Sequence, residues 1–499
     1  MLTYTFDERE GESLYGHLYR CIRRDIEAGT LPADMKLPSK RAFAKHLGVS
    51  LITVEGAYQQ LVAEGYVRAE PRRGFFVNDL PLACAQMNGG KRSRGETEAA
   101  AARFGAHEVS VPAAASAPSL LVTDLATGSV ATELFPYALW AKTLRDVLAH
   151  EPERTLLGET SAFGSLRLRE ALATHLRTFR GLEADPAQII VGSGAQTLYN
   201  FIVQLVGRRS HFAVEDPGYP RLTSIYRAND VLLSHVPLDA AGIDVAALRA
   251  SGANVAHLMP SHQYPTGLVT PVSRRYELLG WAAEEEGRYL IEDDYDCEFR
   301  LAGRPIPAMK SIDATDRVIY VNTFARSLGP SFRIGYAVLP AHLAERFQRD
   351  LGFYSCTVST IEQLAVARFI ENGDFERHTN RMRVHYRTVK NALIEALTAS
   401  PAGQHFAIEG ADAGLHFLLH ITTPGTETHL TIAAREEGLI LAPLSAFCQQ
   451  PAAVGTLEER SHQNAFIINY AALNLESIPQ IAESLTRALE KTTTAATSS

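Results

Sequence analysis

Leu14, Leu18, Ile22 and Ile26 stand four residues apart in "SLYGHLYRCIRRDIEAGTL", which lays one apolar stripe along a helix that Gly29 ends. The stretch "PSKRAFAKHLGVS" predicts a second, short helix, with Ser39 after Pro38 placed as its N-cap and Gly48 as its breaker. A third helix is predicted in "LITVEGAYQQLVAEGYV", where Val54, Ala57, Tyr58 and Leu61 share a side and Gly65 is the stop. The pattern then shortens: "VRAEPRRGFFV" predicts two strands around a basic turn, Arg72-Arg73-Gly74.

Helix, short helix, turn, helix and a hairpin wing is the winged helix-turn-helix arrangement, in which the second helix of the unit enters the DNA major groove. The alternative for residues 1–80 is a three-helix protein–protein module with an incidental basic turn. Residues 81–118 have a different texture, rich in Gly, Ala, Ser and Pro without amphipathic period, and predict a mobile linker. Its "KRSR" (Lys91–Arg94) either touches DNA phosphates or is simply solvated. Residues 119–499 form the large domain, where strand-like runs ("QIIVGSG", "HFAVED", "NVAHLMP", "RYLIEDD", "RVIYVNT") alternate with amphipathic helices. That alternation predicts an α/β domain on a mainly parallel sheet, with ligands at the carboxyl ends of the strands.

Composition changes this picture little. The 499 residues exceed one core; 46% hydrophobic and 21% charged residues are ordinary for a globular chain. A net charge of −8 means that any DNA binding must come from a local basic surface. The acidic N-terminus "MLTYTFDERE" is no secretory signal, and no apolar run reaches the ~18 residues of a membrane span. Five scattered cysteines without a C-x-x-C argue against a disulfide framework or zinc site and fit a cytoplasmic protein.

The distinctive motifs sit at predicted strand ends. "VGSGAQTLYN" is a Gly-rich turn before a helix, where backbone N–H groups bind phosphate, or else a tight connection. "EDPGYP" supplies Tyr219, which could stack on a flat ring or belong to the core. "IEDDYDCEFR" gathers carboxylates after an apolar run, for solvation at the sheet edge or for pairing with a cationic ring.

Two resemblances bear on these residues. "LPSKRAFAKHLGVSLITVEGAYQQLVAEGYVRAEPRRGFFV" resembles the DNA-binding domain of the GntR family over some forty residues. The resemblance implies DNA contacts from Lys40, Arg41, Ser50, Thr53, Tyr58, Arg72, Arg73 and Gly74; the arginine usual after "GVS" is here Leu51. "SHQYPTG", "EDDYDCEFR" and "NTFARSLGPSFRIGYAVLP" resemble the fold-type I aminotransferase-like domain of the MocR subfamily of GntR regulators. That likeness implies a homodimeric regulator of double-stranded DNA operators. It also implies a pyridoxal 5'-phosphate (PLP) pocket in which Asp293 pairs with the ring nitrogen, Tyr295 with the phenolic oxygen and Tyr219 with the ring face. Thr323, Arg333 and the backbone of Gly194, Ala195 and Gln196 would hold the phosphate, with His262 and Tyr264 along the ring edge.

One residue breaks the likeness. Where the family carries the lysine that bonds PLP covalently stands Arg326, preceded by Ala325 in place of serine. A guanidinium, with a pKa above ~12, stays protonated and is neither nucleophile nor base. No catalytic residue is therefore expected, PLP would be held non-covalently or not at all, and Lys310 and Lys390 stand too far along the chain to substitute. Late in the chain, "AFIINYAAL" offers Ile467 where aminotransferases carry a substrate-carboxylate arginine. Three readings follow: a regulator sensing PLP, pyridoxamine phosphate or a PLP adduct; a regulator whose pocket takes another anion, with Arg326 as an added clamp; and a regulator whose large domain is a dimerising scaffold, closed by an Arg326–Asp293 ion pair. A catalytic aminotransferase is the fourth.

Overall fold

The computed structural model describes residue 4 and residues 13–70, 73–79, 122–301, 306–449 and 464–497. The expected linker 81–118 and Arg72 lie outside the described residues. The head consists of α1 (Leu14–Glu27), α2 (Lys40–Leu47), α3 (Leu51–Ala63), β1 (Val67–Glu70) and β2 (Gly74–Val77). Each helix is capped by a serine whose side chain accepts a backbone N–H: Ser13 from Gly16, Ser39 from Ala42 and Ser50 from Thr53. Gly48 ends α2 at φ 66°, the left-handed conformation that glycine adopts without strain. Leu18, Ile22 and Ile26 of the predicted stripe are buried against Phe43, Val54, Ala57, Tyr58 and Leu61.

The head core does not end within the head. Val272, at the start of the body helix Val272–Glu284, belongs to it, and its N–H donates to the Glu64 carbonyl at 3.0 Å. Gly65, at φ +81°, lies so close to Pro271 that a Cβ there would stand 3.0 Å from the proline Cβ. Glu27 accepts from Arg23, Tyr66 and, at 3.5 Å, from Tyr276 of the body helix. The joint therefore grips the end of α3 opposite its capped start.

The body opens with β3 (Thr123–Asp124) and carries an eight-stranded sheet of β4 (Ile189–Gly192), β5 (His211–Asp216), β6 (Leu232–Asp239), β7 (Gly242–Ile243), β8 (Val255–Leu258), β9 (Tyr289–Asp293), β10 (Val318–Thr323) and β11 (Gly335–Val338). Its order is β4-β11-β10-β9-β8-β5-β6-β7, parallel from β10 through β6, with β11 antiparallel to both neighbours. Strands β4, β8, β9, β10 and β11 are buried throughout, as a sheet covered on both faces requires. The α/β expectation holds, and all five strand-like runs are strands of this one sheet.

Farther along, β12 (Phe406–Glu409), β13 (His416–Ile421), β14 (Leu439–Ile440), β15 (Ala442–Pro443) and β16 (Ala465–Asn469) follow. An antiparallel sheet β12-β13-β16-β15 packs on the helices Asp374–Ala399 and Ile478–Thr497 around a separate core. The parallel pair β14–β3 ties the first described strand of the body to this unit.

Candidate ligand cavity and DNA-facing surface

The carboxyl ends of β4, β5, β8, β9 and β10 converge on one cavity of about 500 Å³. Gly194, Ala195, Gln196, Tyr219, Tyr264, Asp293, Tyr295, Thr323, Arg326 and Arg333 all line it. Residues 126–130, the turn after β3, close another side.

Asp293, at the end of β9, is buried and held from behind. Tyr199 donates its hydroxyl to Oδ2. His257 Nε2 lies 3.3 Å from the same oxygen, and the Tyr226 hydroxyl lies 2.6 Å from His257 Nδ1. The relay is satisfied when Tyr226 donates to Nδ1 and Nε2–H donates to the carboxylate. Oδ1 has no hydrogen-bond partner although it is buried. A buried acceptor without a donor is costly unless a ligand supplies one. A protonated ring nitrogen in the cavity would do so, and in this respect the residues present fit PLP.

The phosphate end is built on glycine. Gly194, at φ +82°, caps the helix Ala195–Val206, whose first N–H groups have no intrahelical acceptor. A Cβ at Gly194 would stand 3.0 Å from the Arg333 guanidinium, which donates to the Ser193 carbonyl at 3.1 Å. Thr323, buried at the end of β10, completes this corner.

Arg326 does not reach Asp293. Its Nη1 donates to the Gly128 carbonyl, and a side chain at Gly128 would meet the guanidinium at 2.7 Å. Among the described residues no ion pair joins Arg326 to Asp293, so the internal pair expected of a closed scaffold does not form. Nor does a lysine line the cavity among those residues. Lys310 donates to the Val318 carbonyl at 2.7 Å and Lys390 to the Ala411 carbonyl at 2.7 Å. Ile467 is buried in β16 and not in the cavity wall.

His262 departs from expectation. It stands behind Tyr295 and not at the cavity edge, with Nδ1 2.8 Å from Asp296 Oδ2 and 3.0 Å from the Tyr295 hydroxyl. It positions Tyr295 and does not touch the space a ligand would fill. Tyr264 does face the cavity, edge-on to Tyr219 at 5.7 Å, and burial pushes its hydroxyl up to about 12 against the opposing pull of Arg326. Arg221, Tyr199 and His257 escaped the reading of the sequence. The exposed Arg221 guanidinium lies 5.8 Å from the Tyr219 ring centre, so three arginines line one cavity. A histidine inside the apolar run "NVAHLMP" was the available signal for the relay.

Glu215, on β5, is sealed behind this wall and accepts from the Met259 N–H at 3.2 Å. Burial raises its pKa to about 8, with Asp293 pushing in the same direction. A carboxyl raised in the folded state gives stability that is present below its unfolded value and lost as pH climbs through the folded one. Melting temperature is therefore expected to fall between about pH 5 and pH 8, as up to about 1.4 kcal/mol of stability is lost with each pH step of one. Glu215→Gln should flatten that fall and leave the acid end unchanged, as thermal melts across pH would read.

On the head, Arg41, Ser50 and Arg73 are exposed and Lys40 half-buried, its ammonium paired with Glu55. Gly74, at φ +117°, starts the second wing strand against the Lys36 stem. Tyr58 and Thr53 are not on this face. Tyr58 is fully buried in the head core and donates to the Pro38 carbonyl at 2.9 Å; Thr53 is buried, its hydroxyl 2.8 Å from that of Ser50. Both hold the helices in place. A groove between α2 and the wing gathers Lys36, Lys40, Arg41 and Arg73.

Residues 14–77 match the family described as bacterial regulatory proteins, gntR family. Over 437 residues the chain is 35% identical to the uncharacterized HTH-type transcriptional regulator YdeL of Bacillus subtilis (strain 168), covering 87% of this chain and 89% of that one. It is 31% identical over 435 residues to the probable rhizopine catabolism regulatory protein MocR of Rhizobium meliloti, covering 87% and 86%. The chain belongs to the MocR type of GntR-family transcriptional regulators. The body resembles the crystal structure of a multiple substrate aminotransferase from Thermococcus profundus, with a TM-score of 0.64 and 24% identity over 76% of this chain and 93% of that one, a likeness of fold. The family's two halves are thus both present: a helix-turn-helix head of a DNA-binding kind and an aminotransferase-like body. Among the described residues, no helix is long and apolar enough to cross a membrane.

Proposed function

We propose that the protein is a cytoplasmic, homodimeric transcription regulator. Its body binds PLP, a PLP adduct or another anionic metabolite reversibly, and it catalyses no transamination. The observation that carries this reading is the cavity itself. It keeps an unpartnered buried carboxylate oxygen on Asp293 and a glycine-lined helix start, yet has Arg326, bonded to Gly128, where a nucleophilic amine would be needed. When bound, PLP would supply an electron-withdrawing ring. Asp293 would hold the ring nitrogen, Tyr219 its face and Tyr295 its phenolic oxygen. Arg333, Thr323 and the N–H groups of Ala195 and Gln196 would hold the phosphate. Arg326 and Arg221 add positive charge that an anion offsets with charge-assisted hydrogen bonds.

Thermal-shift titration tests the body. PLP, pyridoxamine phosphate and inorganic phosphate are each added; a ligand at ~100 times its Kd stabilises by about 2.7 kcal/mol, and Asp293→Ala should abolish the shift for the two ring compounds. If none of them moves the melting temperature, the scaffold reading wins. The head is tested by salt titration of DNA affinity. Arg41→Ala should weaken binding and lower the log–log salt slope by about 0.9 for one lost phosphate contact; an unchanged slope removes Arg41 from the interface.

A further inference from the structure

Helix α3 begins with two aliphatic side chains in solvent. Leu51 is 40% exposed and Ile52 81%, while Thr53, Val54, Ala57 and Tyr58 behind them are buried. Removing Ile52 from water would be favourable, and the head keeps it outside although a core lies one turn away. The outward positions of α3 form one strip: exposed Leu51, half-buried Glu55 and exposed Gln59 and Ala63 recur every fourth residue, with exposed Ile52 beside the first. Polar reach along that strip is small. The Glu55 carboxylate is held by the Lys40 ammonium, and Gln59 lies eight residues past Leu51, about 12 Å along the axis. The start of the strip therefore has no free hydrogen-bonding side chain except the Ser50 hydroxyl, already engaged with Thr53.

Basic side chains lie one helical turn from the two aliphatics. The Lys40–Glu55 contact places the start of α2 against the next turn of α3, and Lys36, Lys40, Arg41 and Arg73 share the groove there with Glu70, which pairs with Arg73. An apolar point beside a mainly cationic groove suits the DNA major groove, where phosphates flank base edges and thymine alone presents a methyl group. In helix-turn-helix docking the first residues of the recognition helix are those that meet base edges.

We propose that Ile52, with Leu51, reads thymine by its C5-methyl group, so that the half-site is recognised at this point by apolar contact and not by hydrogen bonds. The inference rests on the DNA-binding reading of the head. It names the base chemistry that this chain's own helix start selects.

The full-length protein and a random-sequence duplex library give the test. The enriched duplex is resynthesised with deoxyuridine for every thymidine, which removes only methyl groups. Affinity is expected to drop about fourfold for each methyl buried against the protein. Leu51→Ser combined with Ile52→Ser, both outside the core, should bind the thymine and uracil duplexes alike, close to the wild type's affinity for the uracil form. Equal wild-type affinity for both duplexes overturns the proposal, as does a Leu51→Ser/Ile52→Ser variant that still discriminates. If sedimentation without DNA shows that Leu51→Ser/Ile52→Ser lowers the oligomer mass, the patch is a self-contact and the proposal fails. Should no duplex be enriched at all, the DNA-binding reading falls first; a chain that binds duplexes but ignores the methyl groups loses only this inference.

Discussion

Arg326→Lys combined with Ala325→Ser is expected to give a protein that bonds PLP covalently, which the proposed function denies to the unsubstituted chain. The new amine would project from the turn after β10 into a cavity that already offers Asp293 for the ring nitrogen and the Gly194 turn for the phosphate. Arg221 and Arg333 line the same cavity, and nearby cations lower a lysine pKa, which favours the neutral amine that attacks an aldehyde. Removing the guanidinium also frees the Gly128 carbonyl, which a lysine amine or a water can satisfy. After incubation with PLP, the variant should show a new visible absorbance band, and borohydride should fix the cofactor to residue 326, as peptide mass spectrometry would read. The unsubstituted protein should show neither. A variant that stays colourless while binding pyridoxamine phosphate would mean that the turn no longer presents residue 326 to the ring.

Gly414→Ala should be among the most destabilising single substitutions in the body. Gly414 sits at φ +68°, and a Cβ there would lie 1.8 Å from His262 Cε1 and 2.6 Å from Asp296 Oδ2. Both neighbours are tied down: His262 and Asp296 are buried and bonded to each other. The left-handed backbone costs about 1–2 kcal/mol. Overpacking a rigid interior adds about 1–3 kcal/mol more. Gly252→Ala is the matched control, at φ +70° with open space around it, and should show the backbone cost alone. Melting temperatures of the two variants separate the two costs. Because His262 fixes the Tyr295 hydroxyl, any Gly414→Ala protein that still folds should also lose ligand-induced stabilisation.

Much of this organisation was legible in the residues because it rests on local rules. The Leu18-Ile22-Ile26 stripe, the Ser39 cap and the Gly48 stop follow from helix geometry, and the five apolar runs are strands because only a buried sheet suits them. Residue-by-residue likeness placed Asp293, Tyr295, Thr323, Arg326 and Arg333 around one cavity. It failed where orientation decides. Tyr58 and Thr53 lie in a DNA-binding pattern but turn inward, since α3 must bury one face to stand on α1 and α2. His262 belongs to a motif at a strand end, yet its ring is drawn behind Tyr295 by Asp296. Arg221 carried no signal, because an exposed arginine at the second residue of a helix looks like any solvated charge. The direction taken by the Arg326 side chain, toward Gly128 and not Asp293, depends on a turn some two hundred residues earlier in the chain.

The joint at Gly65 and Pro271 gives the molecule a gearing. Helix α3 has 13 residues, so its tip at Leu51 stands about 20 Å from the end clamped to the body. The clamp is stiff: Arg275 donates to the carbonyls of Thr270, Pro260 and Pro307, bracing the segment that runs from Tyr264 in the cavity wall to Pro271 at the joint. A swing of about 10° there carries the tip by about 3.4 Å, the rise of one base step along a DNA strand. Six residues of braced backbone thus separate a wall of the cavity from a pivot at which a small angle is a whole base pair.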